Sequence, residues 1–131
     1  MVAEYLGTVL DPKRFRLALR TAVRKLKPKT FEAIAVTGNS GAIFGGALAV
    51  ALNKPLILVR KPGIDSHGSQ LQGIGSPKSY IIVDDFISTG ETVRRVCDII
   101  EKHAPAGLDL VGGYFYKDGP VWHEAAYLKS L

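Results

Sequence analysis

The most informative stretch of the sequence is a short apolar run followed by two acids and a small polar loop. It reads Tyr80-Ile81-Ile82-Val83-Asp84-Asp85-Phe86-Ile87-Ser88-Thr89-Gly90-Glu91-Thr92. A continuous apolar run is typical of a strand buried on both faces, so residues 79–84 are predicted to form a parallel strand. Serine, threonine and glycine then precede a helix predicted from about 90 to 103. The free N–H groups at such a helix start, together with the helix dipole, favour an anion.

Two adjacent carboxylates, Asp84 and Asp85, end this strand. Like charges at such short range are costly unless a cation, a diol or a partner group offsets them. Beside a phosphate site, the pair indicates a ligand that carries a phosphate together with ribose hydroxyls or Mg²⁺. Two structural alternatives stay open, because Ser88 and Glu91 have the spacing of a capping box and the acids can pair with an arginine.

The rest of the chain predicts helices and strands that alternate around this motif. Asp11-Pro12 indicates a helix start, and apolar residues at helical spacing predict a helix over 12–27 that ends at Pro28. Strands are predicted at 33–37, 55–60 and 108–116, a turn at 38–41, a helix at about 42–52, and a short tail at 117–131. Residues 61–78 show no clear period.

This order indicates an α/β fold with an open, mainly parallel, twisted sheet and helices on both faces. The whole chain, 1–131, is expected to form a single domain with a core at about 31–116. Strand 33–37 should be central, with strand 55–60 on one side and strand 79–84, which carries the acids, on the other. The direction in which strands are added therefore reverses between strands 33–37 and 79–84. Ligands bind at such a switch point, in the crevice beyond the carboxyl ends of the strands. The turns 38–41 and 85–90 are therefore expected side by side.

Composition and charge exclude several classes of protein. The 131 residues are 47% hydrophobic and 22% charged, which is ordinary globular usage and excludes bulk disorder. The single cysteine, Cys97, excludes an internal disulfide and fits a reducing compartment, so a cytoplasmic location is expected. The uncharged run 33–53 has the length of a membrane span, but its glycines and Asn39 favour a strand, a turn and a helix, and no membrane span is expected.

The motif of residues 80–92 closely resembles the PRPP-binding motif of type I phosphoribosyltransferases, where PRPP is 5-phosphoribosyl 1-pyrophosphate. That motif is an apolar strand, two acids, two apolar residues and a loop rich in threonine and glycine. Residues 36–41, Val-Thr-Gly-Asn-Ser-Gly, resemble the family's pyrophosphate loop. Residues 60–68, Arg-Lys-Pro-Gly-Ile-Asp-Ser-His-Gly, resemble its flexible loop, most closely in the orotate branch. The resemblance spans about residues 31–116.

The resemblance implies a homodimeric transferase that binds PRPP and Mg²⁺, passes ribose 5-phosphate to a nitrogenous base, and releases pyrophosphate. The residues implied to bind PRPP are Asp84, Asp85, Ser88, Thr89, Gly90, Glu91 and Thr92. Those implied to bind the pyrophosphate are Thr37, Gly38, Asn39, Ser40, Arg60 and Lys61. Asp84 and Asp85 would hold the ribose hydroxyls directly or through Mg²⁺, and His67 would join them as a catalytic residue when the flexible loop closes.

Departures from the family pattern keep two other functions open. Ile64 stands where the orotate branch has a second loop lysine, and the short segments that flank the core imply a minimal or absent hood over the base. A non-catalytic PRPP or nucleotide sensor on the same fold is therefore one alternative. The other is nucleic-acid binding through helix 12–27, because residues 1–31 carry eight basic and two acidic residues, whereas the remaining 100 carry nine and ten.

Overall fold

The computed structural model describes residues 6–60, 70–104 and 106–131. In chain order the elements are α1 (Gly7–Leu10), α2 (Pro12–Leu26), β1 (Ala33–Val36), α3 (Gly38–Leu52), β2 (Leu56–Val59), β3 (Leu71–Gln72), β4 (Ser79–Asp84), α4 (Glu91–His103), β5 (Asp109–Phe115), β6 (Val121–Glu124) and α5 (Ala125–Lys129). Lys61, Ile64 and His67, for which the sequence makes predictions, lie outside the described residues.

The six strands form one sheet in the order β3-β2-β1-β4-β5-β6. Its four inner strands are parallel to one another, and the edge strands β3 and β6 run antiparallel to their neighbours. The first strand, β1, is central and lies between β2 and β4, as predicted. The predicted class, an open and mainly parallel α/β sheet, is confirmed.

Helices cover both faces of this sheet because successive strand residues point to opposite sides. Ile34 of β1 packs in one core with α2 and α3, which contribute Leu26 and Phe44. Its neighbour Ala35 packs in the opposite core with α4 and α5, which contribute Val96 and Leu128. Both faces of β1 and β4 are therefore buried, which explains why these two strands are continuously apolar.

The basic helix α2 begins where the sequence indicates a helix start. Asp11 precedes it with an extended backbone, its side chain accepts a hydrogen bond from the backbone N–H of Lys13 at 3.3 Å, and Pro12 occupies the first helical position. The helix ends at Leu26, one residue before the predicted end. Burial of Ala22 and Leu26 holds its apolar face against the rest of the molecule.

Three segments differ from the sequence prediction. Helix α3 begins at Gly38, so the predicted turn 38–41 is the first turn of the helix. Within the stretch that showed no period, Leu71–Gln72 pairs with β2 as an edge strand. The predicted tail adds β6, which pairs with β5, and α5, which packs on the sheet through Leu128. Each of these elements depends on pairing or packing with another element, which the pattern of its own residues does not show. Among the described residues, no helix is long and apolar enough to cross a membrane.

Candidate active site

The carboxyl ends of β1 and β4 lie side by side and each leads into a helix or its N-terminal loop. The strands are paired in parallel, with Ala35 opposite Ile82, so Thr37 and Asp84 reach the same edge of the sheet. Helix α3 begins directly after β1, and α4 begins after the loop that follows β4. The two turns that the sequence places beside each other are therefore adjacent at the switch point.

Close approach of α3 to the end of β4 depends on glycine. A Cβ at Gly41 would lie 3.1 Å from Asp84 Oδ1 and 3.2 Å from the carbonyl oxygen of Val83. One turn further along, a Cβ at Gly45 would overlap Val36 Cγ1. The glycine pair at this spacing thus lets the helix pack tightly on the sheet and brings its first turn to the carboxylates.

Asp84 is a nearly buried carboxyl at the last position of β4, with 8% of its surface exposed. Its Oδ1 accepts hydrogen bonds from the backbone N–H of Asp85 at 2.9 Å and from Ser40 Oγ at 3.5 Å. Burial raises the pKa of Asp84 to about 7, the neighbouring charge of Asp85 adds to this rise, and the backbone hydrogen bond opposes it. Asp84 is therefore a carboxyl with a pKa near neutral pH, well above the ordinary value of 3.8.

Asp85 is more open than its neighbour and has separate partners. Its Oδ1 accepts from the backbone N–H of Phe86 at 2.8 Å. The partners of the acidic pair are thus backbone amides and the hydroxyl of Ser40, and the alternative of a salt bridge to an arginine is not observed among the described residues. In Asp84 and in Asp85 these hydrogen bonds go to Oδ1, and none of them goes to Oδ2.

The loop before α4 lines a small cavity. The capping box that the sequence allows, with Ser88 as the capping residue, does not form. Thr89 Oγ1, not Ser88, accepts from the backbone N–H of Glu91 at 3.2 Å, and Gly90 caps the helix with φ +85°. The cavity has a volume of about 190 Å³. Its lining consists of Asp84, Asp85, Phe86, Ile87, Ser88, Thr89, Gly90, Thr92 and Val93. The first N–H groups of α4 have no partner within the helix, so this cavity suits an anion.

The residues from Thr37 to Ser40 form the start of α3 on the other side of Asp84. Thr37 is buried and extended, and Gly38 has φ +68° with no atom within 4 Å of the position of a Cβ. Asn39 is exposed. The start of this second helix therefore presents free N–H groups at the same edge as the carboxylates.

Arg60 follows β2, the other neighbour of β1, and reaches the same edge of the sheet. Its backbone N–H donates to the carbonyl of Gln70 at 2.8 Å, and its Nη2 donates to Gln72 Oε1 at 3.5 Å. The structure thus gathers the ends of β1, β2 and β4, with the sequence-predicted residues of each, along one edge.

Tyr116 and Lys117 belong to this region, although the sequence analysis did not single them out. The Tyr116 hydroxyl donates to the carbonyl of Ser40 at 3.0 Å, and the Tyr116 backbone N–H donates to the carbonyl of Asp84 at 3.2 Å. The backbone of Lys117 continues this pairing to Asp85 at 2.9 Å, and its Nζ lies 5.5 Å from the ring centre of Phe86. The only indication in the sequence that these two residues lie near the site was their position at the end of the predicted strand 108–116.

The end of a central strand thus carries two adjacent acids between the starts of two helices, an arrangement that suits a ligand with both phosphate groups and hydroxyls. A model of the phosphoribosyl transferase domain matches residues 33–112, from the start of β1 into β5. The match covers more than half of the chain, and the protein therefore belongs to the phosphoribosyltransferase family. The type I resemblance drawn from the acidic motif is confirmed.

Several relatives of this chain are adenine phosphoribosyltransferases. That of Thermosipho melanesiensis is 34% identical over 121 residues, which are 80% of this chain and 67% of that protein. That of Bifidobacterium longum (strain DJO10A) is 31% identical over 130 residues, which are 86% of this chain and 66% of that protein. The chain thus spans about two thirds of the length of the curated relatives it matches.

Solved structures agree on the fold. The adenine phosphoribosyltransferase of Thermoanaerobacter pseudethanolicus superimposes with a TM-score of 0.62 at 25% identity, over 82% of this chain and 70% of that one. The UMP synthase of Leishmania donovani superimposes with a TM-score of 0.64 at 26% identity, over 81% of this chain and 22% of that one. The orotate phosphoribosyltransferase of Aeropyrum pernix, at 23% identity and a TM-score of 0.61 over 79% and 58%, shares the fold. The specific resemblance to the orotate branch concerns residues 60–68, of which the structure describes Arg60.

Proposed function

We propose that this protein binds PRPP with Mg²⁺, transfers ribose 5-phosphate to a nitrogenous base and releases pyrophosphate. The observation that carries the proposal is the pair Asp84 and Asp85 at a strand end, flanked by the N-termini of α3 and α4. PRPP has a diol between two phosphate groups, and the site has acids between two anion-binding ends. Adenine is the first acceptor to test, because the relatives at about 30% identity are adenine phosphoribosyltransferases.

The 5-phosphate would occupy the cavity before α4. Its oxygens would accept from N–H groups at the start of α4 and from the hydroxyls of Ser88, Thr89 and Thr92. Gly90 lets the backbone approach the ligand because it has no side chain and holds a positive φ. Glu91 lies in the first turn of α4, and its backbone N–H, which donates to Thr89 Oγ1 in this structure, would contribute by turning to the phosphate.

The ribose hydroxyls would lie on Asp84 and Asp85, directly or through Mg²⁺. Carboxylate oxygens are hard ligands that suit this ion, and a site with one or two carboxylates is typical when substrate oxygens and waters complete the coordination. The described residues contain no group of three or more His, Cys, Asp or Glu side chains that could hold a metal ion. Bound Mg²⁺ would neutralise charge on the pyrophosphate. Ionised Asp84 and Asp85 would stabilise the positive charge that develops on the ribose as the bond to the leaving group breaks.

The pyrophosphate would lie at the start of α3, against the N–H groups of residues 38–40. Arg60 from the neighbouring strand end and Lys61 would add positive charge to this leaving group. His67 would complete the catalytic group from the segment that follows. Pyrophosphate would leave with the electron pair of the broken C1–O bond, and the base nitrogen would form the new bond to C1.

Calorimetric titration with PRPP, with and without Mg²⁺, tests the binding step. We expect saturable binding that Mg²⁺ strengthens, and absence of binding at millimolar PRPP would overturn the proposal. A pyrophosphate-release assay with adenine, other purines and orotate then tests transfer. Binding without release for any base would favour the alternative that the sequence left open, a PRPP sensor on the same fold.

The family resemblance also supports a homodimer in the cytoplasm, and the proposal includes both properties. Light scattering on the purified chain measures its mass directly. A mass of about twice 14.1 kDa is expected, and a monomer at concentrations that sustain activity would contradict the dimer.

A further inference from the structure

Helix α2 presents a dense row of cations to solvent. The row consists of Lys13, Arg16, Arg20, Arg24 and Lys27, which recur at intervals of three or four residues and are all exposed. We call these five residues the basic stripe. Arg14 and Lys25 are exposed beside it. The stripe lies on the face opposite to Ala22 and Leu26, which are buried.

Among the described residues, the helices that pack against α2 carry no charge that would neutralise the basic stripe. Helix α2 contains no aspartate or glutamate, and α1 and α3, which pack against it, contain no charged residue at all. The nearest turn, between β5 and β6, contacts α2 through Lys25 Nζ, which donates to the carbonyl of Pro120 at 3.4 Å. That turn carries Asp118 but also Lys117. By sequence, residues 1–31 carry eight basic and two acidic residues, whereas the remaining 100 residues carry nine and ten, so the excess positive charge belongs to the segment that contains α2.

The apolar face of α2 is already used within the protein. Phe15 stacks on Phe44 of α3 with ring centres 5.7 Å apart, and the half-buried Ala18 and Leu19 pack in the same core. An amphipathic helix that binds a membrane must bury its apolar face in the lipid, and this one cannot do so without leaving the core. Leu17 is exposed on the solvent face and is flanked by charge. The surface favours an extended polyanion over a lipid bilayer.

We propose that α2 is a nucleic-acid-binding surface that contacts the phosphate backbone through the basic stripe. From Lys13 to Lys27 the helix rises ~21 Å, a length that corresponds to roughly six nucleotide steps of one strand in a duplex. No aromatic residue lies within the stripe, so base stacking is absent from its chemistry and the binding is independent of sequence. This surface is separate from the residues proposed to bind PRPP.

The test uses the full chain and fluorescein-labelled 20-nucleotide RNA and DNA, single- and double-stranded, in anisotropy titrations over a range of salt. The slope of log K against log salt should lie at about −3 to −5, because up to five phosphates are neutralised. Replacement of Arg16, Arg20 and Arg24 by glutamine should lower affinity at low salt at least tenfold and make the slope shallower by about 2 to 3.

A matched control removes the same charge elsewhere. The exposed residues Lys78, Lys102 and Lys129 are replaced by glutamine, and this triple variant should keep its affinity within about threefold. Equal losses in both triple variants would show a net-charge effect and overturn the proposal, as would absence of binding by the unaltered chain. Phosphatidylserine vesicles that bind the protein through Leu17, with no RNA or DNA binding, would also overturn it. PRPP titration of each variant separates this result from the proposed enzymatic function.

Discussion

The hydroxyl of Tyr116 donates a hydrogen bond to the main-chain carbonyl of Ser40 at 3.0 Å. This bond ties the end of β5 to the first turn of α3, across the strand that carries the acids. The Tyr116 ring also stacks on Phe44 of the same helix, with ring centres 4.0 Å apart. Burial raises the pKa of Tyr116, so the hydroxyl keeps its proton and remains a donor. The turn that brings Ser40 to Asp84 is therefore fixed by both a polar and an aromatic contact.

Replacement of Tyr116 by phenylalanine keeps the ring stacking and removes the hydrogen bond. We expect the free energy of unfolding to fall by about 1–2 kcal/mol, because the carbonyl of Ser40 loses its partner. PRPP affinity should fall severalfold, since the first turn of α3 is held less firmly. Urea unfolding and calorimetric titration measure the two effects.

Tyr114 provides a matched control for this variant. It is fully buried two residues earlier, and its hydroxyl has no hydrogen-bond partner among the described residues. Tyr114→Phe removes an unsatisfied polar group and should leave stability unchanged or raise it by about 1 kcal/mol. Equal losses in both variants would show that ring chemistry, and not the bond to Ser40, accounts for the result.

The sequence predicted the central part of the fold because that part depends on local pattern. Strand β4 was predicted at 79–84, which are its bounds in the structure, because a strand buried on both faces has to be apolar throughout. The position of Asp84 and Asp85 at the end of this strand was predicted from the same stretch of sequence. Their placement beside β1 follows from topology, since parallel strands place their carboxyl ends at one edge.

The start of α3, strand β6 and the role of Tyr116 could not be predicted from the pattern of their own residues. The glycines and Asn39 at the start of α3 are typical of a turn, and only the packing of Gly41 against β4 shows why a helix starts there. Strand β6 has four residues, and it exists because β5 offers an edge to pair with. Tyr116 carries no motif, and its role depends on a contact with a residue 76 positions away.

The raised pKa of Asp84 predicts a pH dependence of both binding and stability. Mg²⁺ and a diol favour the ionised form, so PRPP·Mg²⁺ affinity should rise by up to about tenfold per pH unit below pH 7 and level off above it. Calorimetry at pH 6 in buffers of different ionisation enthalpy should detect proton release on binding. Binding that is equally tight at pH 5.5 and 8 would contradict this prediction.

Stability of the empty protein should change in the opposite direction. Because the folded pKa of Asp84, about 7, lies above the ordinary value of 3.8, the contribution to the free energy of unfolding is fully present below pH 4 and is lost as pH rises through 7. Asp84→Asn should abolish this component, so the difference between the two proteins isolates it. If the difference in the free energy of unfolding between the two proteins is constant from pH 4 to 8, a group other than Asp84 causes the pH dependence.

Replacement of both Asp84 and Asp85 by asparagine should remove Mg²⁺-dependent PRPP binding and leave the fold intact. Asparagine keeps the shape and an acceptor oxygen but loses the charge, so at pH 8 the empty variant should be at least as stable as the original chain. Asp98→Asn with Asp118→Asn, both exposed, provides a control with the same change in charge. Unfolding of the first variant alone would show that the pair is structural, and the ribose-binding assignment would be withdrawn.

Thr89→Val separates the phosphate contact from the effect of Mg²⁺. The substitution removes the hydroxyl that bonds the N–H of Glu91 and would face the 5-phosphate, and it removes no charge. Affinity for ribose 5-phosphate should fall about three- to tenfold, which corresponds to one neutral hydrogen bond, while Mg²⁺ still strengthens PRPP binding. Thr21→Val, whose hydroxyl bonds the carbonyl of Leu17 on α2, should leave both affinities unchanged.

Two glycines of α3 test whether the close approach of this helix sets the site. At Gly46 a Cβ meets no atom within 4 Å, so Gly46→Ala should raise the free energy of unfolding by up to about 1 kcal/mol through helix propensity alone. At Gly41 the same methyl would crowd Asp84 Oδ1 and the carbonyl of Val83. Gly41→Ala should therefore lose that gain, displace the first turn of α3 from Asp84, and weaken PRPP binding by at least fivefold. Urea unfolding and PRPP titration measure both variants, and a Gly41→Ala protein that binds PRPP as tightly as Gly46→Ala would show that Asp84 and the start of α3 act independently.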